Sequence, residues 1–108
     1  MAKIDIITLS GLTANDGSII ESGATVKFNS EFYAASTDII IRPMIYRNRE
    51  LFDLGYSAIP CDEIPRDFIM TVPEEDYYVL TPAILYEMVK DELNNRFGAD
   101  MYEIQIIA

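Results

Sequence analysis

The sequence lacks histidine and tryptophan, and it has a single cysteine, Cys61, among its 108 residues. Histidine is the side chain whose charge changes closest to neutral pH, and it is the commonest metal ligand in proteins. Its absence excludes Ser-His and Cys-His nucleophile pairs, zinc deaminase sites and the facial triad of non-haem iron enzymes. A lone cysteine cannot form an intramolecular disulfide, so nothing in the sequence points to an oxidising compartment.

Sequence motifs for phosphate and metal binding are absent as well. The five glycines form neither G-x-G-x-x-G nor G-x-x-x-x-G-K-[ST], and the carboxylates do not follow the spacing of a calcium-binding loop. We therefore predict no catalytic residue, no cofactor-binding residue and no metal ligand. Lys3 and Asp5 interrupt the first apolar stretch, so we expect no signal peptide. The apolar runs fall short of the ~20 residues that a membrane helix needs, and we expect no membrane contact.

Acidic residues dominate the charge, which is −10 overall. In the first fifty residues the charges nearly balance, with five basic residues and six acidic ones. Residues 51–108 contain three basic residues and twelve acidic ones. Such a field repels phosphate backbones, so we expect no nucleic-acid partner. The acidity fits either a well-solvated surface or a match to a basic protein partner.

The N-terminal half has the patterns of β-strands. Half of the whole chain is apolar, and its length fits a single domain spanning residues 1–108. Strands are predicted over 3–9, 24–29 and 38–46, and Asn15-Asp16-Gly17 is typical of a hairpin turn. The alternation in 24–29 predicts that Lys27 faces water. Pro43 cannot donate to a ladder, so the third strand must be an edge or carry a bulge at that point.

The second half contains the best-defined helix. Residues 51–65 are predicted to be irregular, with one helical turn closed by Gly55. A short strand over 67–72 and a polar connection over 74–76 follow. The helix from 82 to about 97 has Thr81 as its N-cap and a stripe of apolar residues every three or four positions. The stripe comprises Leu85, Met88, Val89, Leu93 and Phe97.

The end of the chain reads as a further strand. Gly98 is the expected helix stop, because a left-handed residue is least strained as glycine. Residues 101–107 then form a predicted strand that buries Tyr102, Ile104 and Ile106. Strands followed by one amphipathic helix and a final strand indicate an α+β fold, built on a mostly antiparallel sheet or small sandwich.

The strand over 38–46 also contains a predicted interface. Three consecutive isoleucines place apolar side chains on both of its faces, while one helix can cover only one face of a sheet. A neighbouring copy is the expected cover, with nearby arginines pairing with its acids. The predicted interface residues are Ile39, Ile40, Ile41, Arg42, Tyr46, Arg47 and Arg49. The alternative for the arginines is a solvated strand end with local ion pairs.

Tyrosines offer a second possible contact surface. Tyr77 and Tyr78 are adjacent, and Tyr46, Tyr56 and Tyr86 could join them. Tyrosine is enriched at protein interfaces, but it also bridges core and surface in β domains. Both readings stay open.

The chain as a whole resembles small structural or assembly proteins of tailed bacteriophages and prophages, from the neck, tail or capsid. The parts that carry the likeness are the Asn15-Asp16-Gly17 hairpin, the strands between Phe28 and Tyr46, and the terminal helix followed by a strand. The resemblance implies a non-enzymatic subunit that works by contact with other protein subunits, often in a homo-oligomer. It places the protein in a virion or in the bacterial cytoplasm, and it transfers no site residues.

Two other functions remain open on the sequence. One is a binding module of the bacterial cytoplasm with an unknown ligand. The other is an enzyme that uses carboxylates without a metal, which a partly apolar pocket lined by acids with raised pKa would favour.

Overall fold

The computed structural model describes residues 3–97 and 100–107, and these contain seven strands and three helices. In chain order they are β1 (Lys3–Thr8), β2 (Leu12–Thr13), β3 (Ile19–Ile20), β4 (Thr25–Tyr33), β5 (Asp38–Tyr46), α1 (Arg49–Asp53), β6 (Phe68–Thr71), α2 (Glu74–Tyr77), α3 (Pro82–Phe97) and β7 (Tyr102–Ile107). The predicted α+β class is confirmed. Within the described ranges, no helix has both the length and the apolar character needed to cross a bilayer.

Five strands form one antiparallel sheet in the order β6-β5-β4-β1-β7, and β2 and β3 form a separate hairpin. The hairpin turns at the predicted place, where Gly17 has a φ of 88° that a residue without Cβ adopts without strain. β5 has the predicted bounds. β6 pairs only with residues 38–41 of β5, so Pro43 lies where the outer side of β5 has no ladder to interrupt.

The sheet opens at one end because β1 and β4 diverge. The residue pairs Ile6–Val26 and Ile7–Thr25 join these two strands, whereas nine pairs join β4 to β5. β1 instead pairs along its whole length with β7. Of the residues that the structure describes, none pairs as a strand with residues 28–33 of β4 on the β1 side.

One face of the sheet forms the core with α3. Ile6, Val26 and Ile41 are almost fully buried and share a single cluster with Leu85, Val89 and Leu93 of the helix, as well as with side chains of the β2–β3 hairpin. Burying a large aliphatic side chain contributes about 1.5–3 kcal/mol, so this cluster supplies most of the driving force for folding. The predicted helix stripe is therefore confirmed at Leu85, Val89 and Leu93.

The helix also has the predicted bounds. The Thr81 hydroxyl accepts a hydrogen bond from the Ile84 amide at 3.2 Å, as an N-cap does. Near its other end, the Asn94 side chain accepts from the amides of Met101 and Tyr102 at 3.0 and 2.8 Å. This side chain joins the helix to the start of β7. Gly98, the predicted helix stop, and the side chain of Phe97 lie outside what the structure describes.

Several local predictions are wrong, each for a physical reason. Residues 74–76 begin helix α2 rather than a loop, because Pro73 suits a helix start and three acids complement the positive end of the helix dipole. Helix α1 begins before residue 51, since the Asn48 side chain caps it by accepting from the Leu51 amide at 2.9 Å. Ile106 is 68% exposed because the core cluster covers β7 only as far as Tyr102 and Ile104.

We predict that Leu93→Ala destabilises the domain by about 2–5 kcal/mol, because Leu93 is fully buried and its truncation leaves a cavity. The free energy of urea unfolding measures this loss. Ile84→Ala is a matched control on the same helix, because Ile84 is 45% exposed and should cost about 1 kcal/mol or less. A loss under about 1 kcal/mol for Leu93→Ala would contradict the packing of α3 on the sheet.

A second prediction concerns Tyr102, whose hydroxyl is buried without a hydrogen-bond partner among the described residues. Burial raises its pKa from 10.0 to about 12. The folded state thus favours the neutral phenol, and this stability is present below the unfolded pKa near 10 and is lost as pH rises towards 12. Tyr102→Phe should raise the free energy of unfolding at pH 7 by about 1 kcal/mol and flatten its decline above pH 10.

The measurement for Tyr102 is urea unfolding at a series of pH values from neutral to alkaline. Tyr56→Phe is the control, because Tyr56 is 62% exposed and its replacement should leave the pH profile unchanged. If the free energy of unfolding of Tyr102→Phe fell above pH 10 as steeply as that of the wild type, ionisation of the buried Tyr102 phenol would not be its cause.

Candidate functional site

The structure separates the seven predicted interface residues. Ile39 and Ile41 are fully buried in the core of their own subunit, and Tyr46 is 8% exposed against the ring of Phe52 at 5.1 Å. Their side chains have no surface to offer a neighbour, so their place in the predicted interface is wrong. Of the predicted interface residues in β5, Ile40 and Arg42 lie on the face opposite to the core and are partly exposed.

The three predicted interface arginines also have different partners. The Arg42 guanidinium pairs with Glu31 at 3.5 Å and with Asp67 at 3.2 Å. Arg47 donates to the carbonyl of Ile19 at 2.7 Å. Arg49 turns inward and pairs with the buried carboxylate of Asp5. Arg42 therefore has the local ion pairs of the alternative that the sequence left open, whereas Arg47 binds a backbone carbonyl and Arg49 is paired inside its own subunit.

Ile40 and Arg42 belong to an uncovered part of the sheet, here called the open sheet face. It comprises Glu31, Tyr33, Ile40, Arg42 and Ile69, which lie on the surface opposite to the core. Ile40 is directly opposite Ile69 in the β5–β6 ladder and opposite Glu31 in the β4–β5 ladder. Ile69 is 56% exposed, so two large apolar side chains lie side by side at the surface with charged neighbours around them.

The other end of the same face is covered by α1 and contains a buried ionic cluster. Lys27 Nζ donates to Asp5 Oδ1 at 2.5 Å and to the Tyr86 hydroxyl at 3.3 Å. Arg49 Nη1 pairs with the same carboxylate oxygen, and Arg49 Nε pairs with Asp53 at 3.0 Å. Lys27 Nζ also lies 5.0 Å from the centroid of the Phe52 ring, within cation–π range.

Burial makes this cluster energetically demanding. Asp5 is fully buried and Lys27 is 7% exposed, and removing charges from water costs several kcal/mol per ion unless they are well paired. Asp5 Oδ2 has no hydrogen-bond partner among the described residues. Burial tends to lower the pKa of Arg49, but the hydrogen bond to Asp53 and the charge of Asp5 outweigh it and raise that pKa, so Arg49 stays charged.

A cavity of about 280 Å³ adjoins the cluster where β1 diverges from β4. Its walls are Lys3, Ile4, Lys27, Arg49, Pro82 and Tyr86. A second cavity of about 440 Å³ shares Pro82 and Tyr86 with it and is mainly apolar and aromatic. Its other walls are Phe28, Ser30, Phe32, Tyr77, Leu80, Thr81 and Leu85. The two adjoining cavities are called the basic–aromatic cleft.

Sequence reasoning missed this cleft. The alternation of β4 predicted that Lys27 faces water, which is wrong because its ammonium pairs with Asp5 and lies against the rings of Phe52 and Tyr86. Thr25, on the same face, is likewise buried. Asp5 lies 22 positions from Lys27 and 44 from Arg49, so no local spacing could reveal the cluster. The tyrosine pattern gave a partial signal, since Tyr77 and Tyr86 both line the cleft.

Known proteins add no identification. Neither the protein-family models nor the curated proteins nor the solved structures include a match to this chain. Among the described residues, no three Cys, Asp or Glu side chains are grouped so that they could hold a metal ion. The open sheet face and the basic–aromatic cleft are therefore the two features from which a function can be inferred.

We predict that Asp5→Asn destabilises the protein by about 3–5 kcal/mol, because it leaves the Lys27 ammonium buried without a counter-charge. Urea unfolding measures the loss. Glu92→Gln is a control that removes one partner of the exposed Arg96–Glu92 pair and should cost about 1 kcal/mol or less. Equal losses in the two variants would show that the Asp5 cluster has no special role.

Proposed function

We propose that this protein is a non-enzymatic structural subunit that associates with further copies of itself through the open sheet face. The observation that carries the proposal is the pairing of Ile69, which is 56% exposed, with the partly exposed Ile40 on an uncovered sheet surface. Apolar surface of this kind, rimmed by polar groups, marks protein contact sites. Two such faces packed together would form a sandwich, in which side chains of both sheets exclude water.

Charge explains why a second copy suits this surface. The net charge of −10 makes two copies repel each other, so contact is favoured where apolar area is exposed and the nearby acids are already paired. Arg42 pairs with Glu31 and Asp67 on this face and is itself 41% exposed. In a two-fold contact, Arg42 of each copy can pair with Glu31 and Asp67 of the other copy in place of its own. Such pairs fix how the two sheets are aligned more than they add to the affinity.

The setting that we propose is a virion or assembly intermediate of a tailed bacteriophage, on the resemblance described above. A binding module of the bacterial cytoplasm is the alternative. Co-sedimentation of the protein with phage particles on a density gradient distinguishes the two. An enzyme that uses carboxylates gains no support from the basic–aromatic cleft, whose charged walls are cations.

We expect the wild-type protein to sediment as an oligomer at concentrations of about tens of micromolar, where a specific assembly persists. Ile40→Asp and Ile69→Asp should each dissociate it, because a carboxylate would be buried in the contact. Sedimentation velocity measures the mass, and far-UV circular dichroism confirms that the variants stay folded. Added salt should strengthen the association, since it screens the repulsion between acidic copies.

Ile106→Asp is the matched control, because it makes the same change at an exposed isoleucine on the distant strand β7. It should leave the oligomer intact. A monomeric wild type, or equal dissociation by Ile106→Asp, would overturn self-association through the open sheet face.

A further inference from the structure

The basic–aromatic cleft concentrates positive charge in an acidic protein. Three of the eight basic residues, Lys3, Lys27 and Arg49, line its smaller cavity, and no carboxylate of the described residues does. Asp5 and Asp53 bind two of these cations from behind the cavity wall. Three cations against two carboxylates leave about one net positive charge, which suits a monoanion better than a dianionic phosphate.

Hydrogen-bond donors remain available at this cavity. Lys27 Nζ has three protons and uses two of them, on Asp5 and Tyr86. The Tyr86 hydroxyl accepts from Lys27 and retains its own proton. Arg49 uses Nε and Nη1, and within the described ranges its Nη2 and the Lys3 ammonium have no acceptor. An anion in the cavity could thus accept from several side chains held by the fold.

The larger cavity supplies an apolar wall next to these donors. The ring of Tyr86 packs against Phe28 with centroids 4.9 Å apart, and Phe32 packs against Tyr77 at 6.0 Å. Tyr86 therefore contributes its hydroxyl to the charged part and its ring to the apolar part. Together the cavities have the size of a small-molecule site, which is about 300–1,000 Å³.

We propose that the basic–aromatic cleft binds an apolar carboxylate. The carboxylate lies among Lys27, Arg49 and Tyr86, and an aromatic or aliphatic group lies against Phe28 and Leu80. The source of this chemistry is a free organic acid or the C-terminal carboxylate of a peptide with an apolar last residue. Binding is independent of self-association, because the open sheet face is formed by other residues.

The test is a titration followed by ¹H–¹⁵N NMR with 3-phenylpropionate as the probe. Two control ligands separate the contributions of the charge and of the ring. 3-Phenylpropanamide keeps the ring without the charge, and propionate keeps the charge without the ring. We expect the acid to shift the amides of Lys27, Phe28 and Tyr86 and to bind at least about tenfold more tightly than either control, because charge-assisted hydrogen bonds and apolar burial both contribute.

Substitutions inside and outside the cleft test whether the ligand binds there. Lys3→Gln and Tyr86→Phe should each weaken binding of 3-phenylpropionate about threefold or more, since each removes one donor while leaving the buried Asp5–Lys27 pair in place. Lys90→Gln removes the same charge from a residue of α3 that lines neither cavity and pairs with Glu87 and Asp91, and it should leave binding unchanged. Ile40→Asp should also bind normally.

The sources are distinguished by comparing 3-phenylpropionate with the peptide acetyl-Gly-Gly-Phe, which has a free C-terminal carboxylate. Tighter binding of the peptide assigns the site to a protein terminus, and tighter binding of the acid assigns it to a free small molecule. The proposal is overturned if the amide binds as well as the acid, if Lys90→Gln weakens binding as much as Lys3→Gln, or if no shifts appear at about 10 mM ligand.

Discussion

One buried carboxylate, that of Asp5, organises the end of the molecule where the sheet divides. It lies on β1, accepts from Lys27 of β4 and pairs with Arg49 of α1, and Lys27 reaches on to Tyr86 of α3. A buried charge is tolerated only when it is paired, so these four elements must take their relative positions for the carboxylate to be accommodated. An arrangement that separated them would leave an uncompensated charge in the interior.

The two candidate contact surfaces have separate origins in the fold. Near Asp5, the divergence of β1 from β4 opens the space that becomes the basic–aromatic cleft, bounded by the start of β1 and by α3. On β5 and β6, Ile40 and Ile69 lie on the face opposite to the core, and α1 packs over the other end of that face. The first surface therefore depends on strand pairing and the second on how far a short helix extends over the sheet.

The two surfaces also differ in the charge that they present. With a net charge of −10, most of the surface is repulsive towards anions and towards other copies. Positive charge gathers in the cleft, where Lys3 and Arg49 face a concave site, whereas on the open sheet face Arg42 is largely offset by Glu31 and Asp67. An anionic ligand is accordingly matched by the cleft, and an apolar partner surface is matched by the sheet.

Elements that depend on neighbouring residues were predictable from the sequence. These include the turn at Asn15-Asp16-Gly17, the bounds of β5 and the helix that begins after Thr81, because turn conformation, β-branched composition and capping act within a few residues. Which side chains meet depends instead on the tertiary structure. Ile39 and Ile41 became core instead of interface, and Lys27 became buried, because strand order and the long-range pairing of Asp5 with Lys27 and Arg49 are properties of topology that no local spacing contains.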